Sequence, residues 1–326
     1  MGDYIIKRFS QMVLVLVMVS VFSFSIIYFA PGDPLYMYTT PSASNYKLSD
    51  EQLDSMRESL GLNGNIVEQY TSWAKKTLQG NWGLSVSNHQ PVKDQVLDKL
   101  PNTMLLMGSA LIISIIIAIP LGLIAGLHKN SYIDNIISGI SYLGISLPAF
   151  WFGIILIIVF SLKLGLLPSS GMRTMGVNSV LDVIKHGILP AIVLSVNNMA
   201  VLVRYIRSNT INQLEEDYVL TAVSKGISKK HILFKHILKN CLLPIITIVG
   251  MNFGKLVTGS FIVESVFGWP GIGTLGMTAI NNRDYPMIMG ITVLSCVILL
   301  LGNFLADIFY SIADPRIKQC KENIDG

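Results

Sequence analysis

Hydrophobic residues in this chain come in long, almost unbroken runs, at positions 12–30, 104–127, 136–162, 188–203, 241–263 and 287–310. Crossing about 30 Å of hydrocarbon takes roughly 20 helical residues, and five of the runs meet that on length. The fourth reaches it by drawing on Lys185, His186 and Arg204 at its ends, whose long or amphipathic side chains can keep their polar tips at the membrane surface. The pattern predicts an all-α integral membrane protein of six transmembrane helices, forming one domain over residues 1–326. The expected spans lie near 12–30, 104–127, 136–162, 187–207, 241–263 and 287–310. A β-barrel is not expected, because its strands alternate apolar and polar positions over about ten residues rather than running continuously apolar. Pro120, Pro148 and Pro190 fall inside these spans, each removing one backbone donor, and a kink is expected at each.

Between the first two spans, residues 31–101 are patterned well beyond the needs of a connector. Ser49-Asp50-Glu51-Gln52 has the form of a capping box, predicting a helix from about 50 to 60 that Gly61 stops. A second helix is expected over 66–78, where Val67, Tyr70, Trp73, Ala74 and Leu78 recur at helical spacing. Together they form a small external helical cap. The functional alternative is a surface that meets a delivery protein or closes over a pore.

Residues 208–240 are the other long polar stretch. A helical continuation of the fourth span is expected through 215–224, ended by Gly226, after which Ser228 caps a short helix running to about Lys239. On a helical wheel Leu233, Phe234, Ile237 and Leu238 share one side, opposite Lys229, His231, Lys235, His236 and Lys239. Such an amphipathic helix either lies on a lipid surface or fills a groove on a partner.

Composition agrees and charge sets the orientation. Hydrophobic residues make up 51% and charged residues only 13%, about half the usual share of soluble domains, and the mean hydropathy is +0.56. With the amino terminus inside, the cytoplasmic segments hold thirteen Lys and Arg, against Lys163, Arg173, Lys185 and Arg283 in the short external loops. Both termini are therefore expected in the cytoplasm, in a multi-pass protein of the cell membrane. The net charge of +4 restates this asymmetry; it suits lipid headgroups or an acidic partner rather than nucleic acid. Cys241, Cys296 and Cys320 lack paired spacing, and the five histidines lack metal-ligand spacing, so neither a disulfide framework nor a metal site is expected. No catalytic constellation and no phosphate-cradling G-x-x-x-x-G-K-[ST] occurs, and the chain is expected to be neither an enzyme nor a cofactor carrier.

Glu216-Asp217-Tyr218-Val219-Leu220-Thr221-Ala222 with Gly226, followed by Asn240 and Leu243-Pro244, resembles the coupling loop of ABC importer permeases of the dipeptide, oligopeptide and nickel family. The likeness runs the length of the chain. APGDP (30–34), GNWGLS (80–85), PNT (101–103), SLPAFW (146–151), LPSSG (167–171), VESVFGWPGIG (263–273), RDYP (283–286) and DPRI (314–317) occur in the family's order. The spacing from Gly226 to Leu243-Pro244 is longer than in the wider permease pattern and matches the peptide-permease variant. Lys255, midway along the fifth span, departs from the family.

That resemblance implies a type I ABC importer permease-like fold and a subunit of a binding-protein-dependent importer. Its implied partners are a homologous second permease subunit, two ATP-binding cassette ATPase subunits and an extracytoplasmic solute-binding protein over the 31–101 cap, within the lipid bilayer. Dipeptides or oligopeptides are the implied solutes, with nickel or a metal chelate as the alternative in the same family. An ATPase groove would receive the 208–240 segment. Thr221 and Ala222 would allow close approach, Gly226 would make the bend, Leu233, Phe234 and Ile237 would fill the groove, and Pro244 would complete the motif.

Polar residues inside spans are costly and usually face a cavity or another helix. Asn197 and Asn198 in the fourth span, and Asn252 and Lys255 on one face of the fifth, are the candidates for the translocation pathway. Asn303 and Asp307 in the sixth fit interhelical pairing as well. Trp269, Pro270 and Gly271 predict a tight turn at the external mouth, with Phe267 and Trp269 as interfacial anchors. An ion-driven secondary transporter, the reading from another class, would call for inverted repeats, and the two halves do not resemble each other.

Overall fold

The computed structural model describes residues 2–29, 64–238, 241 and 260–313. Its helices are α1 (Gly2–Phe29), α2 (Ile66–Leu78), α3 (Val92–Leu127), α4 (Tyr132–Ser146), α5 (Ala149–Leu156), α6 (Val180–Leu214), α7 (Asp217–Ser224), α8 (Lys229–Ile232), α9 (Ile272–Asn281) and α10 (Tyr285–Ala313). Wide π-helical turns extend α5 over Ile157–Lys163 and α8 over Leu233–Ile237, and residues 260–267 are also helical. The expected helix over 50–60 and most of the fifth span lie outside the described residues. The chain divides into two units, Met1–Thr103 with Pro270–Leu300, and Met104–Trp269 with Leu301–Gly326.

Among the described residues, four helices are long and apolar enough to cross a membrane, at Ile6–Phe29, Val92–Leu127, Val180–Leu214 and Tyr285–Leu305. They cover the first, second, fourth and sixth expected spans. Helix α3 starts well before residue 104 because Val92 and Val96, one turn apart, are both fully buried while Lys93 and Asp94 point outward. Helices α3 and α6 run on through Pro120 and Pro190.

The third expected span is not one helix. It breaks between α4 and α5, which meet at 104°. Leu147 (φ −78°, ψ 126°) and Pro148 (φ −61°, ψ 128°) are both extended. The pyrrolidine ring disfavours a helical residue before it; at Leu147 that preference prevails and Pro148 opens the next helix, whereas α3 and α6 absorb the same crowding at Pro120 and Pro190.

In the first unit, Asn65 and Glu68 form a reciprocal capping box that starts α2 where the periodicity placed it. Helix α2 packs on α1 through its aromatic face. Tyr70 Oη lies 2.9 Å from Ser20 Oγ, and the Phe24 ring meets Tyr70 edge-on at 5.5 Å and Trp73 at 6.0 Å. Four of the sequence motifs meet here, in two pairs. Buried Asp284, just ahead of α10, accepts from Ser85 Oγ at 2.5 Å, from Ser87 N at 3.4 Å and from Met287 N at 3.3 Å. Asn102 Nδ2 donates to Pro270 O at 2.8 Å, and Thr103 Oγ1 accepts from Ile272 N at 2.8 Å, which satisfies an orphan amide at the start of α9.

In the second unit α6 is the central element. Helix α3 approaches it through Gly122 and Gly126, four residues apart, where an added Cβ would lie 2.6 Å from Ile206 Cβ and 2.5 Å from Thr210 Cβ respectively. Small residues at this spacing let two helix backbones come close, a packing on which membrane helices rely. Ser114 Oγ, fully buried, lies 3.0 Å from Ser195 O across the same pair. Helix α4 lines another side of α6, with Gly144 facing Val196 and Ala200. Leu106, Ala110, Leu156, Leu189 and Val193 close a core around Val263, Phe267 and Trp269.

Candidate functional site

The polar segment after α6 builds a two-sided platform. Helix α6 ends at Leu214, and Glu215 caps it. Glu216 is extended (φ −77°, ψ 144°) and starts α7 as a separate helix, so the expected continuation through 215–224 does not occur. Two consecutive carboxylates at the negative end of the α6 dipole are unfavourable, whereas Asp217 in the first turn of a new helix is favourable.

Helix α7 ends in a Schellman turn. Ile227 N donates to Ala222 O at 3.1 Å and Gly226 N to Val223 O at 2.9 Å. Gly226 has φ +72°, and a Cβ there would meet no described residue within 4 Å; glycine is needed for its backbone angle. Ser228 Oγ then faces His231 N at 3.4 Å, at the start of α8.

One side of α7 is fixed to its own chain. Val219 and Ala222 are buried with Ile232, Ile237 and Cys241, with Leu214, Tyr218, Ile227 and Leu233 packed around them. The other side is bare. Leu220 is 60% exposed and Val223 54%, with Thr221, Ser224, Lys225 and Gly226 exposed beside them.

The expected coupling residues therefore divide. Thr221 and Gly226 lie on the open surface, Ala222 and Ile237 are buried, and Leu233 is half-buried. The expectation that Ile237 fills a partner's groove is corrected: at 1% exposure it fills a pocket in its own chain, and the close approach that Ala222 permits is to the same cluster. The Phe234 side chain and Pro244 lie outside the described residues. Leu220 and Val223 were missed, although their period with Thr221 and Ser224 was readable.

On the expected pathway, Asn197 is exposed on α6, and Asn198 is half-buried and donates to Leu194 O at 3.1 Å. Asn252, Lys255 and the Asp307 side chain lie outside the described residues. At the expected external mouth, Trp269 and Phe267 are 1% and 2% exposed, and their rings belong to the core of the second unit. Their reading as interfacial anchors is corrected: Gly268, at φ +57°, turns the backbone so that both rings point inward. Trp269 N donates to Glu264 O at 2.8 Å, and Gly171 N to Phe267 O at 2.8 Å. Pro270 is half-buried and Gly271 is buried at the start of α9. Among the described residues no group of three or more His, Cys, Asp and Glu could hold a metal ion.

Comparison with known proteins places this geometry in a family. The chain is 41% identical over 320 residues to the oligopeptide transport system permease protein AppB of Bacillus subtilis (strain 168), covering 98% of this chain and all of that one. It is 34% identical to the glutathione transport system permease protein GsiC of Escherichia coli (strain K12), over 98% of this chain and 99% of the relative. An inward-facing structure of the MetNI methionine ABC transporter aligns with a TM-score of 0.53 at 17% identity, over 67% of this chain and 96% of the matched one, a likeness of fold. Residues 1–107 match the N-terminal region of binding-protein-dependent transport system membrane components. Since residues 118–319 match the binding-protein-dependent transport system inner membrane component, the chain belongs to that family of transport permeases.

Proposed function

We propose that this chain is one membrane subunit of an ATP-driven, binding-protein-dependent importer of peptides, and that α7 is the surface an ATPase subunit grips. The observation that carries the docking reading is the two-sidedness of α7. Its inner side is held by Ile232, Ile237 and Cys241, and on its outer side Leu220 and Val223 stand exposed among the described residues. Apolar residues left bare on a short, firmly seated helix suit a protein groove. Peptides as solutes follow from relatives named for oligopeptide and glutathione transport, both peptidic, that match almost the entire chain.

In this reading the partners are a second, homologous permease, two ATP-binding cassette subunits beneath α7, and a solute-binding protein on the opposite side, with both termini in the cytoplasm. Closing of the ATPases on ATP pushes α7, which passes the movement to α6 through the Glu215–Glu216 junction. Asn197 faces the solute path, and Asn252 and Lys255 are proposed to join it.

Leu220→Asp with Val223→Asp tests the docking surface. The full transporter carrying both substitutions should insert normally, fail to retain its ATPase subunits during purification, and lose peptide uptake. Retained ATPase and unchanged uptake would overturn the assignment of α7.

A further inference from the structure

We infer that the Asp134–Arg207 ion pair is the link through which movement of α7 reaches the broken span α4/α5, making both side chains positioning residues for transport. The inference rests on the proposed docking at α7 and goes beyond it. Asp134 lies in the first turn of α4 and is 1% exposed. Arg207 reaches it from α6 in a bidentate grip, with Nε donating to Oδ1 at 2.5 Å and Nη2 to Oδ2 at 2.7 Å. The remaining capacity of the carboxylate is used by Asn130 N at 2.8 Å, in the turn before α4, and by Ser138 Oγ at 3.3 Å. A two-point guanidinium grip fixes angle as well as distance, so it transmits rotation, which a single contact does not.

The pair does not stand alone. Lys129 Nζ meets Glu215 Oε1 at 3.1 Å, tying the α3–α4 turn to the very residue that ends α6 and precedes α7. Farther along, Arg204 lies over the Tyr142 ring at 5.1 Å, and Gly144 packs against Val196. Helix α4 is thus fastened at successive levels along the second half of α6 and ends at the two extended residues Leu147 and Pro148. A helix held along one side and released at a two-residue break can swing as an arm when its support moves. Any displacement of the Glu215–Glu216 junction acts first on Lys129 and Arg207, and through them on α4.

The test is ATP hydrolysed per peptide imported, in vesicles holding the complete transporter and its binding protein. Asp134→Asn keeps the size of the group and removes its charge; Arg207→Lys keeps the charge and removes the two-point grip; Lys129→Glu perturbs only the exposed tie. Each should raise ATP used per peptide, on the order of 5-fold or more for the buried pair, while ATPase subunits still co-purify. Lys129→Glu combined with Glu215→Lys should restore the wild-type ratio. A purely structural role predicts a different result, with uptake and hydrolysis falling together in proportion to the folded protein recovered. That result, or an unchanged ratio in Arg207→Lys and Lys129→Glu, overturns the inference. Should Asp134→Asn fail to fold, those two variants decide the matter. Loss of ATPase from a complex that keeps Asp134, Arg207 and Lys129 but carries Leu220→Asp with Val223→Asp is read separately, so failure of the docking surface and failure of this link are distinguishable.

Discussion

The close approach of α3 to α6 makes a sharp prediction about two methyl groups. In Gly126→Ala the new carbon would lie 2.5 Å from Thr210 Cβ, 2.8 Å from Thr210 Cγ2 and 3.0 Å from Arg207 O; in Gly122→Ala it would lie 2.6 Å from Ile206 Cβ and 3.0 Å from Val203 O. Carbon atoms rest at about 3.5–4.0 Å, so the helices must part locally by about 1 Å. Cβ atoms and backbone carbonyls cannot rotate away. Overpacking of this kind costs roughly 1–3 kcal/mol per site, offset by about 0.5–1 kcal/mol that alanine gains over glycine inside a helix. Each variant should therefore be less stable by about 0.5–2 kcal/mol. The double variant should cost less than the sum, because the first parting makes room for the second methyl. Gly108 and Gly139 supply the controls, since an added Cβ there meets no described residue within 4 Å; their alanine variants should gain stability. The assay is the fraction of detergent-solubilised protein that stays monodisperse after heating for a fixed time. Gly126→Ala surviving as well as Gly139→Ala would refute the close approach.

Three further outcomes are expected. Asp284→Ala removes the acceptor of Ser85 Oγ and of Met287 N, and one of the two acceptors of Ser87 N, which also donates to Ser85 Oγ at 3.2 Å; it should destabilise by about 1–3 kcal/mol in the same heating assay, with Asp284→Asn milder. Gly226→Ala forces a Cβ into the left-handed region at a cost of roughly 1–2 kcal/mol and should weaken ATPase retention in a pull-down while leaving insertion intact. If Lys255 faces the solute path, Lys255→Met should change the rate or selectivity of peptide uptake at equal protein level; equal kinetics would return the residue to a structural role.

Much of the fold could be read because the bilayer imposes one length and one polarity on every crossing. Four spans, the 66–78 helix and the Gly226 turn follow from run length, period and the backbone freedom of glycine. The break at Leu147–Pro148 was harder, because composition stays apolar straight through it and only the identity of residue 148 carries the signal. A proline in a membrane helix can equally be absorbed, as Pro120 and Pro190 are. The platform was half legible. The apolar stripe of Leu233 and Ile237 was found, but an amphipathic period says only that one face is buried, not whose surface buries it. The Asp134–Arg207 pair joins residues far apart in sequence and has no local signature, whereas the Asn65–Glu68 capping box was a readable spacing that went unused.

The break between α4 and α5 also bears on how the chain is made. Helix α4 has 15 residues, and α5 with its π-helical turn has the same number, so each arm is about 22 Å long at 1.5 Å per residue. Neither arm covers about 30 Å of hydrocarbon standing upright. During synthesis both emerge before α6, and Arg207, the cation that grips Asp134 in the folded chain, is added 73 residues after it. The middle of this protein is thus a late-sealing joint, for which the nascent chain depends on a helix not yet made.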